Sequence, residues 1–334
     1  MKVLTLPGLA AAAFVVAAPL APSATGAPGQ PALSFPLACE LGRTCEIQHY
    51  VDRDPGPGTR DYRCGLQTYE KHTGLDIRLL DMAAQRRGVN VLAAAPGTVV
   101  RLRDGEPDIS VHAPGAPSVA NKECGNAVVV DHGNGWETQY CHLARGSIVV
   151  KQGDRVATGA PLARVGLSGN TEFPHLHLTV RRAGRIVDPF APDMSRPEAC
   201  AAQAGLWSAQ ARARMAYRAG VVLNAGFTDA QITPADVENG GLRPATPASP
   251  LLAAYVRAIA LQPGDSVELD LKGPNGASLA RTRAQPLQRW RAQDFVLVGK
   301  RRPATGWPRG VYVADYKVWR AGRVAVSRRM QIRL

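Results

Sequence analysis

The chain has 334 residues, of which 45% are hydrophobic and 20% are charged, and its formal net charge is +13. This length is sufficient for two ordinary domains, each with a buried hydrophobic core. It excludes the class of small proteins that cannot form such a core. The basic excess lies near the C-terminus, because residues 251–334 carry 16 Lys and Arg against 5 Asp and Glu. Such a field favours an anionic partner, although compositional bias alone also accounts for these numbers.

The first 27 residues are predicted to be a signal peptide. One lysine precedes an apolar run over residues 3–18, and small residues at 24–27 offer a cleavage site. The run is shorter than the roughly 20 apolar residues that span a bilayer, and an uncleaved anchor is the alternative. The chain is therefore expected to be secreted or periplasmic, at the cell envelope, with no transmembrane segment after cleavage.

Six cysteines in an exported chain predict disulfides. A hairpin turn at residues 132–135 brings Cys124 close to Cys141, and strand alternation directs Cys141 away from the face that carries Tyr140 and His142. Cys39 and Cys45 are predicted to form a second disulfide, which closes a short loop. This leaves Cys64 and Cys200 as the third pair by elimination. A cysteine zinc site is the alternative, but the sequence has no Cys-x-x-Cys pair.

Four regions follow the signal peptide, and together they predict a mainly β protein. Residues 28–70 are predicted to be a Cys-rich extension of loops that are linked by disulfides. Short apolar runs separated by glycines over residues 71–191 predict an antiparallel, barrel-like sheet domain. The Ala-rich residues 192–238 suggest a helical connector. Strand-like segments within residues 239–334 indicate a smaller, basic, β-sandwich-like C-terminal domain.

Two histidines alternate in the segment PHLHLTV, so His175 and His177 project from the same side of a strand. In KHTGLDIR, His72 and Asp76 lie four residues apart. A regular strand would separate them by about 13 Å. A shared metal site therefore requires the backbone to bend at Gly74, which glycine permits.

A further candidate is His142, in the segment TQYCHL. Together, His72, Asp76, His142, His175 and His177 provide five side chains of the types that zinc prefers. A catalytic zinc takes three protein ligands and leaves its fourth position to water, so two groups remain for acid–base work. Spacing alone does not decide between the two histidines of HLH as the ligand. We expect the other three histidines to be structural or solvent-facing, two in polar loops and one in the hairpin turn: His49, His112 and His132.

The motifs HTGLD, DHGNGWETQYCHL, VGLSGNT and HLH occur in this order within residues 70–191. This series resembles the lysostaphin/LytM-type zinc endopeptidases, which cut peptidoglycan peptides and have the duplicated hybrid motif fold. The resemblance implies one Zn²⁺ per chain, with its ligands and its catalytic pair at five positions. The implied ligands are His72, Asp76 and His177, and the implied catalytic pair is His142 and His175.

The chain departs from the family pattern on both sides of HLH. Glu172, Phe173 and Pro174 precede it, and Leu178 and Thr179 follow it. These changes leave the five functional positions intact, but they alter the residues expected to line the groove. They therefore bear on which bond is cut.

The function implied by the resemblance is hydrolysis of peptide bonds in peptidoglycan stem peptides or cross-bridges by a secreted zinc endopeptidase. One alternative is a non-catalytic module of the same fold that binds peptidoglycan or activates another hydrolase. Another is a general secreted protease. The expected partners are peptidoglycan and, through the basic C-terminal region, an anionic wall polymer or envelope surface. No nucleic-acid partner is expected, because the sequence contains no recognition motif for one.

Overall fold

The structure is a computed structural model that describes residues 29–200 and 205–334, together with Met1. Within these ranges, antiparallel strands dominate and the helices are short, which confirms the predicted mainly β fold. The predicted signal peptide lies, apart from Met1, outside the described residues. None of the helices described here has the length and hydrophobicity needed to cross a bilayer.

The larger sheet, called the main sheet below, has the order β1-β2-β9-β6-β5-β4-β7, with β10 paired to β9 and every pairing antiparallel. Strands β3 and β8 form a separate pair. The main sheet is open rather than barrel-like, because β1 and β7 remain at its two edges in the described part of the chain. The elements are β1 Cys45–His49, β2 Leu75–Leu79, α1 Met82–Arg87, β3 Asn90–Leu92, β4 Gly97–Arg103, β5 Asn126–Gly133, β6 Trp136–Leu143, β7 Arg155–Val156, β8 Pro161–Arg164, β9 His175–Arg182 and β10 Arg185–Val187.

Alternation along β2 and β9 separates the core of the main sheet from the candidate site. On β2, Leu75 and Ile77 belong to the hydrophobic core, and on β9 Leu176 and Leu178 do the same. Because successive strand residues point to opposite faces, the polar residues between these apolar ones share the other face. The core therefore positions the polar residues without containing them.

Two smaller antiparallel sheets, β11-β12-β15 and β14-β13-β16-β17, follow the main sheet. Their inner faces share one hydrophobic core, to which Leu252 and Ala254 contribute from one sheet and Leu269 and Tyr312 from the other. We call β11 to β17 the C-terminal sandwich, and its presence matches the predicted fold class. The elements are α2 Ala209–Arg214, β11 Val221–Thr228, α3 Pro234–Asn239, β12 Leu251–Leu261, β13 Ser266–Lys272, β14 Ser278–Arg283, β15 Arg291–Arg301, β16 Val311–Arg320 and β17 Arg323–Arg333.

The segment expected to be a helical connector, residues 192–238, differs from that expectation. Its described residues contain the six-residue helix α2, the strand β11, which pairs with β12, and all but the last residue of the six-residue helix α3. Alanine-rich composition favours a helix locally, but the apolar run that begins at Val221 is buried against β12, and this burial outweighs the local propensity. The Cys-rich extension also contains a regular element, because β1 is the edge strand of the main sheet.

All three expected disulfides are present: Cys39–Cys45, Cys64–Cys200 and Cys124–Cys141. The first closes a short loop before β1. The second joins the loop that precedes β2 to the chain that follows the main sheet. The third links Cys124, which lies shortly before β5, to Cys141 in β6, beside the candidate site.

Candidate metal centre

Strand pairing brings two of the predicted ligands together. Asp76 on β2 and His177 on β9 are cross-strand partners, so their side chains project from the same face. His72 lies before β2 and reaches the same point because the chain bends at Gly74. A methyl group at Gly74 would lie 2.6 Å from Nε2 of His177 and 2.7 Å from the carbonyl oxygen of Leu178, so only glycine fits there without displacement.

Three candidate ligand atoms converge on one point. Oδ1 of Asp76 lies 3.1 Å from Nε2 of His72 and 2.8 Å from Nδ1 of His177. The two imidazole nitrogens are 3.1 Å apart. In a tetrahedral zinc site with bonds of about 2.0–2.1 Å, ligand atoms are separated by about 3.3 Å. The three side chains therefore fit a zinc ion with small adjustments.

Hydrogen bonds on the outer side of each imidazole direct its free nitrogen inward. Nδ1 of His72 donates to the carbonyl oxygen of Tyr50, at 2.6 Å. Nε2 of His177 pairs with the hydroxyl of Thr179, at 3.1 Å, and this hydroxyl can donate or accept. The bond to the Tyr50 carbonyl places a proton of His72 on Nδ1, and in both rings the other nitrogen faces Asp76.

The carboxylate of Asp76 is ionised although it is buried. Burial alone would raise its pKa, but the surrounding imidazoles, that of His72 above all, hold the pKa well below its ordinary value. Burial likewise opposes the charged form of His72, yet the neighbouring carboxylate outweighs burial and raises the pKa of this imidazole. The pKa of His177 is lowered, mainly by burial. A buried, ionised carboxylate next to two imidazole nitrogens is an arrangement that suits a cation.

The predicted catalytic pair flanks these three residues. Nδ1 of His175 donates to the carbonyl oxygen of Phe173, at 2.9 Å, and its Nε2 lies 3.5 Å from Oδ1 of Asp76. Nδ1 of His142 donates to the carbonyl oxygen of Ser168, at 2.7 Å, and the rings of His142 and His175 are 4.6 Å apart. Burial lowers the pKa of His175 to about 4 and that of His142 well below the ordinary value. Both imidazoles are therefore neutral near pH 7 and available as proton acceptors.

The expected orientation of His142 and Cys141 was wrong. Cys141 pairs with His177, so Cys141 lies on the face of the candidate site, and Tyr140 points into the core. His142 nevertheless reaches the site because its φ is +60°, a left-handed conformation that turns its side chain away from strict alternation. The Cys124–Cys141 disulfide consequently borders the site instead of lying behind it.

The placement of His49 in a polar loop was also wrong. His49 ends β1, is buried, and its Nδ1 lies 3.0 Å from Oδ2 of Asp76. The register of β1 against β2 places it directly opposite Asp76. The alternation in CEIQH was the available signal, but three nearby cysteines favoured a loop interpretation.

The remaining two histidines lie away from the metal centre. His112 is exposed, and its Nε2 lies 2.8 Å from the Glu172 carboxylate. His132 contacts the carbonyl oxygen of Pro96 and the hydroxyl of Thr138, each at 2.8 Å. Both positions agree with the structural or solvent-facing roles expected of them.

A groove passes over the five side chains. One cavity of about 410 Å³ is lined by His142, His175 and Asp76, and a second of about 280 Å³ is lined by His72 and His177. The two cavities share three lining residues, so they form the two arms of one groove centred on the candidate ligands. The shared residues are Tyr69, His142 and Asn170.

The fold and the site together define a mainly β protein with a candidate His-Asp-His metal centre flanked by two buried, neutral imidazoles. Residues 70–189 match the model of Peptidase family M23, and this range contains all five side chains. The chain therefore carries a Peptidase family M23 domain, which confirms the family resemblance drawn from the motifs.

Three relatives illustrate what the chain is similar to. DD-carboxypeptidase/endopeptidase Mpg of Neisseria meningitidis serogroup B is 32% identical over 146 residues, which cover 43% of this chain and 28% of Mpg. Peptidoglycan DD-endopeptidase ShyA of Vibrio cholerae is 46% identical over 67 residues, covering 19% and 14%. Murein hydrolase activator EnvC of Escherichia coli is 40% identical over 65 residues, covering 20% and 15%. The matched region spans less than a third of each relative's length.

Proposed function

We propose that the chain is a secreted zinc-dependent endopeptidase that hydrolyses peptide bonds in peptidoglycan stem peptides or cross-bridges. The observation that carries this proposal is the convergence of three buried ligand atoms, from His72, Asp76 and His177, beside two neutral imidazoles. The M23 domain supports the class of reaction. The similarity to the peptidoglycan DD-endopeptidase ShyA supports the substrate.

The proposed reaction divides the five side chains into two groups. His72, Asp76 and His177 would hold the zinc, which when bound would supply Lewis acidity to lower the pKa of a water molecule and polarise the scissile carbonyl. His142 and His175 accept and donate protons. Each has its Nδ1–H fixed by a backbone carbonyl, so its Nε2 is the atom that accepts a proton from the attacking water or returns one to the departing amine.

The two imidazoles are suited to these steps because both are neutral and rigidly held. A neutral imidazole accepts a proton, and the protonated ring that results stabilises negative charge or donates to the leaving nitrogen.

A second candidate function is a non-catalytic module that activates another wall hydrolase. The match to EnvC favours this alternative, because that relative is a murein hydrolase activator. The retention of all five polar side chains in one buried cluster favours catalysis. The two functions therefore differ in a property of the purified protein, namely zinc-dependent cleavage.

Purified protein incubated with isolated peptidoglycan sacculi tests this difference. The proposal expects a fall in turbidity that a chelator stops and added zinc restores, with peptide fragments identified by mass spectrometry. The His132→Ala variant is a matched control, because it removes a histidine that lies outside the centre and lines neither cavity of the groove. Sacculus binding with no released fragments in the presence of zinc would favour the activator. Casein cleavage at a comparable rate would favour a general protease.

The proposal also includes an envelope location and a basic contact surface. The charge excess of residues 251–334 lies on the C-terminal sandwich. Exposed arginines there, among them Arg301, Arg302 and Arg309, present cations suited to an anionic wall polymer. This surface would hold the enzyme near its substrate without taking part in the chemistry.

A further inference from the structure

The C-terminal sandwich contacts β1 directly beside the metal centre. Nε2 of Gln48 donates to the carbonyl oxygen of Ala292, at 2.8 Å, and the rings of His49 and Trp290 are 6.0 Å apart. Ala292 also lines the larger cavity of the groove. A short segment at the start of β15, residues 290–293, therefore lies against the strand that carries His49.

A buried charge cluster fixes this contact. Nη2 of Arg78, on β2, donates to Oε2 of Glu238 at 2.7 Å, and Arg257 of the sandwich donates to the same oxygen. Nη1 of Arg78 donates to Gln48 at 3.0 Å and to Gln293 at 3.4 Å. Breaking a buried ionic cluster leaves an unpaired charge, so the main sheet and the sandwich are held in one arrangement here.

His49 connects this contact to the predicted ligands. Its Nδ1 donates to Oδ2 of Asp76, at 3.0 Å, whereas the other oxygen, Oδ1, faces His72 and His177. A carboxylate that is held by one oxygen has its rotation restricted, and its second oxygen is fixed in direction. Two aromatic rings confine the ring of His49: Tyr69 packs against it edge-on, at 5.2 Å between centroids, and Trp290 of the sandwich lies beside it, tilted by 54° at 6.0 Å.

We propose that Trp290 of the C-terminal sandwich, acting through His49, positions the Asp76 carboxylate for metal binding, so that the sandwich is a working part of the metal centre. Both are positioning residues, since His49 contacts a ligand and Trp290 contacts His49. This inference rests on the proposed zinc site. It goes beyond that site by giving the C-terminal region a structural task at the centre as well as a basic surface.

Zinc affinity of the full chain, measured by competition with a chromogenic chelator, tests the proposal. His49→Ala should weaken zinc binding by about 10- to 100-fold, the range for loss of a hydrogen bond that orients a ligand. His49→Asn should restore most of the affinity, because its side-chain N–H lies near the place of Nδ1. Trp290→Ala should weaken binding several-fold, whereas Trp290→Phe, which keeps a ring against His49, should not.

Trp319→Ala is the matched control. Like Trp290, Trp319 belongs to the sandwich and has a buried indole N–H with no hydrogen-bond partner among the described residues. Thermal unfolding of the metal-free variants separates an effect on zinc from a general loss of stability, and the pair Trp290→Ala and Trp290→Phe keeps the test valid if His49→Ala does not fold.

Three results would decide against the inference or its basis. Unchanged zinc affinity in His49→Ala would overturn the positioning role of His49. Equal affinities in Trp290→Ala and Trp319→Ala would overturn the contribution of the sandwich. Wild-type protein that binds no zinc would instead overturn the proposed function, and this outcome is visible before any variant is compared.

Discussion

Asp76 and His177 are cross-strand partners on β2 and β9, and Oδ1 of one lies 2.8 Å from Nδ1 of the other. Sheet register therefore places two of the three predicted ligands. The third, His72, depends on the bend at Gly74 just before β2. Two of the candidate ligands, Asp76 and His177, are fixed by strand pairing, whereas the position of His72 depends on a bend. Substitutions in the strands and at the bend should therefore have different effects.

Replacement of His177 should abolish both zinc retention and peptide hydrolysis, because it removes a ligand atom. Replacement of His142 should leave zinc in place and reduce hydrolysis by about 10²- to 10⁴-fold, the usual contribution of a proton-transfer group. Zinc per chain, measured by elemental analysis after gel filtration, and the rate of fragment release check the two effects. Equal loss of zinc from His177→Ala and His142→Ala would contradict this assignment.

Hydrolysis should remain nearly constant as the pH falls from 7 to 5. Burial lowers the pKa of His175 to about 4, and the pKa of His142 lies well below its ordinary value, so both stay mostly neutral in this range. An ordinary histidine, with a pKa of about 6.5, would be almost fully protonated at pH 5. Rates on a soluble peptide with zinc in excess, with zinc content measured at each pH, check the profile. A tenfold fall per pH unit below pH 6.5 at constant zinc content would contradict this prediction.

Gly74→Ala should weaken zinc binding and destabilise the fold by about 1–3 kcal/mol, the usual cost of overpacking. The added methyl would meet Nε2 of His177 at 2.6 Å and a backbone oxygen at 2.7 Å, and the backbone cannot move aside without disturbing β9. Gly273→Ala is a suitable control, because its methyl meets nothing closer than 3.4 Å. Chemical denaturation and chelator competition on both variants give the comparison. Equal behaviour of the two variants would mean that the bend tolerates a side chain.

Removal of the Cys124–Cys141 disulfide, by changing both residues to alanine, should reduce the free energy of unfolding by about 3 kcal/mol. The bridge closes a loop of 17 residues, and loop closure restricts the unfolded chain. Removal of Cys39–Cys45, with a separation of 6, should cost about 2 kcal/mol. Since only the longer bridge borders the groove, the first double variant alone should also slow hydrolysis. A loss of activity in both at matched stability would contradict a local effect.

Reversal of charge at Arg301, Arg302 and Arg309 should weaken binding to sacculi at low salt. These arginines are exposed: Arg301 ends β15, at the opposite end from the segment that contacts β1, and Arg302 and Arg309 lie between β15 and β16. Hydrolysis of a soluble peptide should be unchanged. Co-sedimentation at several salt concentrations measures the binding, because exposed charges are screened as salt rises. Binding that is unaffected by the substitutions and by salt would leave the basic surface without a role. Substitution is preferable to deletion, since the sandwich contacts the metal centre.

The sequence was informative where chemistry and alternation coincide. The polar face of β9 follows from HLH, and the glycine in HTGLD marks the bend that His72 needs. Two features depended on tertiary structure that alternation does not encode. The positive φ of His142 reverses its expected face, and the pairing of β1 with β2 buries His49 in a segment whose cysteines suggested loops. Likewise, the strand β11 forms because β12 lies beside it, although its neighbours are rich in alanine.

Diffraction data collected at the zinc absorption edge from crystals of the zinc-loaded protein test the central claim most directly. We predict one strong anomalous peak per chain, about 2.0–2.2 Å from Nε2 of His72, Oδ1 of Asp76 and Nδ1 of His177. A peak at any other set of side chains, or none at that point in protein that carries zinc, would contradict the account.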